Sequence, residues 1–344
     1  MQVSIRYNFR NPPQWARPSA ELYGALLDQI EWADGAGFDR VTLAEHHFLE
    51  EGFLPGLLAM AAAIAARTRK VAIGTDIMLL PLHHPVRVAE DGALVDIISN
   101  GRFELSVAAG YRDEEYAGFG MRLSERARRM EEGLQIVRGL WAEDEFSFQG
   151  RYYQLDKVRL TPKPVQRPGP KLILGGGSEP VARRAARLAD GFKPMRPDLW
   201  AIYYDELERL GRPFERKPIP PRMPAFLHVT RDPERDWAII RPHAMFELEQ
   251  YAAWGLQGSV IIGDDGATEA NLKASNAVWT PEEARERLLA IQAQCPDCAF
   301  GFAPVLAGMD PAMAQSSLEL IAAEVLPAVH AARARPEPYP AASG

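Results

Sequence analysis

An acid, two imidazoles and an aromatic ring stand together early in the chain. Glu45-His46-His47-Phe48 follows the short apolar run at residues 40–44. That run predicts a buried strand, and α/β folds carry their chemistry at the carboxyl ends of such strands. Imidazole titrates near neutral pH and can give or take a proton. The segment therefore predicts an active site. Neighbouring side chains at a strand end face opposite sides, so the two histidines are expected to have different roles.

A second segment has the composition of an anion site. Gly175-Gly176-Gly177-Ser178 ends the predicted strand at 171–174 and opens a helix at Glu179-Pro180. Glycines let a backbone approach an anion closely, and free amide groups at a helix start favour phosphate. Proline at the first helical turn has no amide to lose there. These features predict phosphate binding.

The histidine pairs at 46–47 and 83–84 also suggest metal ligands, which barrel hydrolases collect at strand ends. However, the first predicted strand has no His-x-His pair, and His83-His84 lies in a turn between two prolines. We expect no metal, and a metal-dependent hydrolase is kept as an alternative.

Strand candidates alternate with amphipathic helices along most of the chain. Eight β/α units in sequence predict an α/β fold of the (β/α)8 TIM-barrel class, with one barrel over residues 1–330. The predicted strands are 3–9, 40–44, 71–78, 103–108, 171–174, 191–195, 224–230 and 299–306. The predicted helices are 20–35, 57–67, 86–98, 124–141, 180–189, 199–210 and 311–329.

Three stretches depart from this repeat. Aromatic alternation around Gln149-Gly150 predicts an inserted hairpin at about 146–157. Residues 255–280 are loosely patterned and rich in Gly, Asp and Asn, which suits an insertion acting as a lid or substrate loop. The Pro- and Ala-rich tail, 331–344, is predicted to be disordered.

Composition narrows the class of protein. The 344 residues are 47% hydrophobic and carry a net charge of −7, which gives no basic footprint for nucleic acid. No apolar run approaches the roughly 18 residues of a membrane span, and the N-terminus lacks signal-peptide features. We expect a cytoplasmic protein with no membrane partner.

Cys295 and Cys298 follow a helical pattern and precede a strand, the wrong order for a redox motif, so we interpret them as incidental.

Taken together, these segments resemble the bacterial luciferase-like monooxygenases, the flavin- and deazaflavin-dependent barrels. The resemblance covers nearly the whole chain in order, apart from residues 231–280. The segments that carry it are 38–48, 74–76, 80–91, 99–103, 125–126, 140–141, 175–178 and 308–311.

The resemblance implies roles for individual residues. His46 would lie beside the reactive face of the flavin ring, whereas His47 would pack as scaffold. A non-proline cis peptide is often found in the family at the position of 75–77. The family often has Gly-Arg-Gly where this chain has Ala108-Ala109-Gly110, which leaves Arg126 as the candidate phosphate cation. The alternative is that Arg126 belongs to a solvated cluster with Arg128 and Arg129. The implied cofactor-binding residues are Thr75, Asp76, Ala108, Arg126, Gly176, Gly177 and Ser178.

The function so predicted is a flavin-dependent monooxygenase. It would use reduced FMN and O2 to oxygenate a small organic substrate, and a separate reductase would supply the flavin, since no independent G-x-G-x-x-G unit for a nicotinamide cofactor is present. The family commonly dimerises, so a homodimer is expected. One alternative is an F420-dependent dehydrogenase or reductase, which the missing arginine at Ala109 disfavours. Another is a non-catalytic flavin-binding protein.

Overall fold

The computed structural model describes residues 1–255 and 268–333. Its strands are β1 Gln2–Tyr7, β2 Arg40–Leu43, β3 Ala72–Thr75, β4 Phe103–Val107, β5 Phe146–Gln149, β6 Gln154–Val158, β7 Lys171–Gly176, β8 Gly191–Pro194, β9 Phe226–Val229, β10 Asn276–Trp279 and β11 Ala299–Phe302. Its α-helices are α1 Ser19–Ala36, α2 Leu57–Arg67, α3 Pro85–Ser99, α4 Asp113–Gly118, α5 Arg126–Ala142, α6 Glu179–Leu188, α7 Leu199–Arg209, α8 Pro233–Ala253, α9 Glu269–Ser275, α10 Pro281–Gln294, α11 Pro311–Leu320 and α12 Leu326–Ala331.

Every predicted strand and helix overlaps one of these elements, and neighbouring strands outside one hairpin pair in parallel. The α/β class is therefore confirmed. Helix boundaries follow local capping chemistry. At α10, the Thr280 side chain accepts a hydrogen bond from the amide of Glu283, and Pro281 occupies the first turn. After α1, Gly37 adopts the left-handed conformation (φ 99°) that ends many helices.

The chain divides into two compact units. The first contains Met1–Thr42, Glu50–Phe53 and the described residues from Arg216 onward. Within it, β11 and β1 are parallel neighbours, as are β10 and β9. The guanidinium of Arg10 is fully buried and pairs with Glu51 at 2.6 Å and with Glu247 at 3.3 Å. Aromatic rings surround that guanidinium, at centroid distances of 5.4 to 6.0 Å: Phe53, Phe246, Tyr251 and Trp254.

The second unit contains Leu43–Leu49 and Leu54–Glu215. Its parallel strands lie in the order β3-β4-β7-β8, with α2, α3, α5, α6 and α7 in the connections. β5 and β6 form an antiparallel pair where aromatic alternation predicts the hairpin. The buried carboxylate of Glu132 on α5 accepts hydrogen bonds from the amides of Arg151, Tyr152 and Tyr153. This carboxylate attaches the hairpin turn to the helix.

The stretch at 255–280 is more regular than the sequence suggests. Residues 256–267 lie outside the described residues, so the expected lid falls largely there. The remainder forms α9 and then β10, whose Asn276 to Trp279 align with Phe226 to Val229 of β9. Treating 276–280 as part of a loop was wrong because a four-residue strand is too short to show a period.

Two further differences concern helices and the tail. α8 was not predicted, because Pro242 inside it normally marks a helix break. The predicted helix 311–329 is interrupted by a π-helical turn at Ile321–Val325 just before Pro327, whose nitrogen cannot donate. Of the tail expected to be disordered, Ala331 ends α12 and Arg333 pairs with Asp39 at 2.9 Å. Residues 334–344 lie outside the described part.

None of the helices in the described ranges has both the length and the apolar composition needed to cross a membrane.

Candidate active site

The carboxyl end of β2 brings His46 against a buried glutamate. His46 Nδ1 lies 2.8 Å from Oε1 of Glu115, which is on the short helix α4 and has no exposed surface. The same oxygen accepts the backbone amide of His47 at 2.9 Å. One carboxylate therefore fixes both the imidazole ring of His46 and the main chain beside it.

The charge of Glu115 determines which nitrogen of His46 carries the proton. Burial opposes the charged carboxylate, but the hydrogen bond from His46, the amide of His47 and the nearby Arg112 lower the pKa of Glu115. An ionised carboxylate only accepts hydrogen bonds, so Nδ1 of His46 must donate, and in the neutral ring Nε2 carries the lone pair. The Tyr111 hydroxyl lies 3.2 Å from Nε2 and can donate to it. The arrangement presents a proton acceptor with a phenol beside it.

Glu45 holds the other two imidazoles of this region. Its Oε1 accepts from Nε2 of His47 at 2.7 Å and of His83 at 2.6 Å, and its Oε2 accepts the amide of Leu79. Burial would raise the pKa of Glu45, but the hydrogen bonds from His47 and His83 lower it to about 2. Burial likewise opposes a charged His83, yet Glu45 outweighs it and raises the pKa of His83. His83 and the amide of Leu79 thus join the segment after β2 to the turn before α3.

The three residues of this cluster also form a candidate metal-ligand set. One ligand atom from each of Glu45, His47 and His83 lies within 4.8 Å of the others. The observed N···O distances of 2.6 and 2.7 Å are those of hydrogen bonds. Zinc ligands at about 2.0–2.1 Å from a tetrahedral ion stand farther apart. The cluster is therefore arranged as a hydrogen-bonded network around a carboxylate, and it uses a set different from the two histidine pairs considered from the sequence.

The end of β3 shows how the predicted residues Thr75, Asp76 and Ala108 are used. The buried hydroxyl of Thr75 bonds both the carbonyl and the amide of Ser106, which joins β3 to β4. The Asp76-Ile77 peptide bond is cis, at the position that the resemblance implies. The amide of Ala108 donates to the carbonyl of Met78 at 2.8 Å. The hydroxyl of Thr75 is thus committed to structure, and its contact with a cofactor stays a prediction.

The glycine run ends β7 and opens α6, as predicted. A Cβ on Gly176 would lie 2.8 Å from Val181, so a side chain there would clash with the start of the helix. Within the described residues, the amides of Gly177, Ser178 and Glu179 have no protein acceptor. The hydroxyl of Ser178, the residue preceding α6, makes no capping bond. These donors form a suitable cradle for a phosphate group.

Arg126 begins α5 and is exposed. Across the described ranges, no hydrogen bond or ion pair joins it to residues 176–178. Its neighbour Arg129 is engaged: it pairs with Glu125 at 2.9 Å and lies over the ring of Tyr152, 4.3 Å from the centroid. A phosphate contact by Arg126 stays a prediction.

Residues 1–297 match the family model described as luciferase-like monooxygenase. The chain belongs to this family. Among its curated relatives, the chain is 34% identical over 201 residues to an F420-dependent glucose-6-phosphate dehydrogenase of Amycolatopsis mediterranei, covering 56% of this chain and 60% of that one. It is 32% identical over 191 residues to an FMNH2-dependent dimethylsulfone monooxygenase of Pseudomonas putida, covering 55% and 48%. These matches span about half the length of the relatives.

A solved structure shares the fold along the whole chain. A monooxygenase from Streptomyces bottropensis superposes with a TM-score of 0.78, covering 96% of this chain and 100% of that one at 23% identity. The relatives include both FMN-dependent and F420-dependent enzymes.

The sequence of this luciferase-like protein indicates Tyr111 only as an aromatic residue of an apolar pocket, not as a neighbour of His46, and it does not indicate Glu115. Tyr111 and Glu115 follow β4, two and six residues after Ala109, which stands where the resemblance implies an arginine. The acidic residues 113–115 follow the predicted strand 103–108, and functional residues often lie at the carboxyl ends of such strands. This position is the feature of the sequence that points to the site. It did not reveal that Glu115 alone is buried, since Glu114 beside it is exposed.

Proposed function

We propose that this protein is a flavin-dependent monooxygenase that uses reduced FMN and O2 to oxygenate a small organic substrate. The observation that carries the proposal is the hydrogen-bonded group Glu115–His46–Tyr111. An imidazole whose Nδ1 is held by a buried carboxylate keeps Nε2 available as a proton acceptor. Such a group suits a reaction in which protons move to and from oxygen.

The residues present fit the cofactor. The amides of Gly177, Ser178 and Glu179, which have no acceptor in residues 1–255 and 268–333, and the hydroxyl of Ser178 would hold its phosphate. Reduced FMN, when bound, supplies the electrons that activate O2. His46 would accept or return a proton at Nε2, and Tyr111 would donate to that nitrogen when it is unprotonated. Glu115 would stabilise the imidazolium that forms, as a buried carboxylate beside histidine does in other enzymes.

The substrate is proposed to be apolar or aromatic in part. The ring of Phe48 is 61% exposed beside the site, and its centroid lies 5.3 Å from that of Phe119. Phe119 in turn packs edge-on against His47 at 4.9 Å. These rings provide an apolar surface next to the segment that carries His46.

The finer features of the sequence prediction belong to the same proposal. They are a closed (β/α)8 barrel, a homodimer, a separate reductase that supplies reduced flavin, and a cytoplasmic location. The F420-dependent reaction is the rival, because a relative of 34% identity uses that cofactor.

Binding and single-turnover measurements test the proposal. We expect the purified protein to bind oxidised and reduced FMN more tightly than F420. Rapid mixing of the reduced FMN complex with O2 should produce a transient absorbance that decays faster when substrate is present. The variant His46→Asn should retain FMN binding and lose roughly 10²-fold or more in turnover. The exposed histidine variant His84→Asn is the matched control and should behave as wild type.

Tighter binding of F420, or reduction of F420 by an added substrate, would replace the proposal with the dehydrogenase function. Absence of any oxygen-dependent transient with every substrate tried would favour a non-catalytic flavin-binding protein.

A further inference from the structure

A charged pair at the same sheet edge has no role in the chemistry described so far. Lys193 lies on β8, and Asp76 follows β3. The Nζ of Lys193 is 3.2 Å from Oδ1 of Asp76, and the two side chains are 36% and 28% exposed. The pair is thus reachable by a ligand while it remains partly shielded from water.

The two residues meet across two intervening strands. In the order β3-β4-β7-β8, β4 and β7 separate the strand that precedes Asp76 from the strand of Lys193. Gly175 on β7 explains how the gap is spanned. A Cβ at this position would lie 2.2 Å from Cδ1 of Ile77, so the side chain of Ile77 extends over β7 into the space that Gly175 leaves open. Gly175 is also the register partner of Lys193.

The pair lies between the two ends of the proposed cofactor site. The amide of Asp76 donates to the carbonyl of Leu43 at 2.6 Å, and Leu43 leads directly into the segment of His46. On the other side, Gly175 leads directly into residues 176–178 and the start of α6. A long cofactor with its phosphate at α6 and its reacting ring at His46 would run along the sheet edge that carries the pair.

We propose that Lys193 contacts the ring system of reduced FMN and stabilises its anionic form, and that Asp76 offsets part of the lysine charge. This inference rests on the proposed function. Reduced flavin loses a proton near neutral pH, and the negative charge lies on the ring. A cation within a few ångströms in a partly shielded site favours the anion.

The test compares the two redox states of the cofactor. Dissociation constants of oxidised FMN and, anaerobically, of reduced FMN are measured for wild type, Lys193→Met, Asp76→Asn and Arg138→Met. Arg138 is the matched control because it pairs with Asp190 at 2.9 Å, with similar exposures of 40% and 34%, at the opposite end of β8.

We expect Lys193→Met to weaken binding of reduced FMN about tenfold more than binding of oxidised FMN. For the two-electron couple that difference lowers the midpoint potential by about 30 mV. Asp76→Asn should shift the preference the opposite way, because it removes the neighbouring negative charge. Arg138→Met should match wild type.

Equal effects of Lys193→Met on both redox states, or no effect, would overturn the inference and leave the proposed function intact. Lys193→Gln provides a second neutral variant should the methionine variant unfold at lower temperature than wild type. A wild-type protein that binds neither form of FMN would overturn the proposed function and this inference together.

Discussion

At the scale of single residues, one carboxylate determines what His46 can do. Glu115 accepts hydrogen bonds from Nδ1 of the ring and from the backbone amide of His47, and the Tyr111 hydroxyl lies beside Nε2. The sequence predicts a functional role for His46 and a different role for His47, because the alternation of side chains along a strand is a local property of the chain. It does not predict Glu115, since burial of one acid among several depends on how a six-residue helix packs.

Glu115→Gln tests this control of the histidine. The amide cannot stabilise a charged imidazole, so we expect turnover to fall roughly 10- to 100-fold with little change in FMN binding. Steady-state turnover and titration with FMN measure the two effects. Glu114→Gln, an exposed neighbour, is the control, and equal losses in the two variants would refute the role of Glu115.

Glu45 and His83 predict a pH dependence of stability. Folding lowers the pKa of Glu45 from 4.5 to about 2, so its contribution exists above pH 4.5 and is lost as the pH falls toward 2. Folding raises the pKa of His83 above 6.5, so its contribution exists below pH 6.5 and is lost as the pH rises through the folded value. The pair therefore stabilises the fold most between about pH 4.5 and 6.5.

Glu45→Gln should lower the free energy of unfolding by about 3 kcal/mol at pH 5.5, the cost of breaking a buried ion pair. The loss should shrink at pH 3 and at pH 9. Urea unfolding at the three pH values measures it, with the half-exposed Glu90→Gln as control. A loss that is the same at all three pH values would contradict the assignment.

At the scale of elements, the sequence predicts the strands and helices that have a clear hydrophobic period. It does not predict a short strand or a helix that contains a proline. Eight strands and seven helices could be located because each carries a period or a cap. α8 was missed because Pro242 resembles a terminator, and β10 because four residues cannot show alternation. Contacts with the rest of the fold stabilise both elements, and the local sequence does not indicate those contacts.

The hairpin of β5 and β6 depends on a single side chain of α5. Glu132→Gln replaces a buried carboxylate that accepts three amides from residues 151–153, so we expect a loss of about 2 kcal/mol in unfolding free energy. Trypsin should also cut faster after the exposed Arg151. Urea unfolding and a timed digest measure the two effects. Glu131→Gln on the same helix is the control, and an unchanged digest would argue against this attachment.

At the scale of the whole molecule, the contacts of the candidate active site fall inside the second unit, whereas the buried Arg10 cluster belongs to the first. The net charge of −7 and the apolar content predicted a well-cored protein without a nucleic-acid surface, yet they carry no information on assembly. The apolar segments 54–66 and 86–98 are candidates for a dimer face. In the structure Leu94 and Ile98 lie one turn apart on α3, each 46% exposed.

Leu94→Glu tests the proposed homodimer. A charge in an apolar interface is costly to bury, so the variant should move from twice the 38.2 kDa chain mass to the monomer mass. Light scattering after gel filtration measures the masses. Leu210→Glu, an exposed leucine after α7, should leave the mass unchanged. A wild-type protein that is already monomeric would refute the dimer.

The double use of Glu115 has a consequence for protein engineering. Because one oxygen holds both the ring of His46 and the adjacent main chain, the proton acceptor carries its own alignment within two short segments, 44–47 and 111–115. The two segments could therefore be transferred together into another protein. Grafted onto two strand ends of another parallel sheet, they would present an oriented imidazole wherever the host also buries the carboxylate.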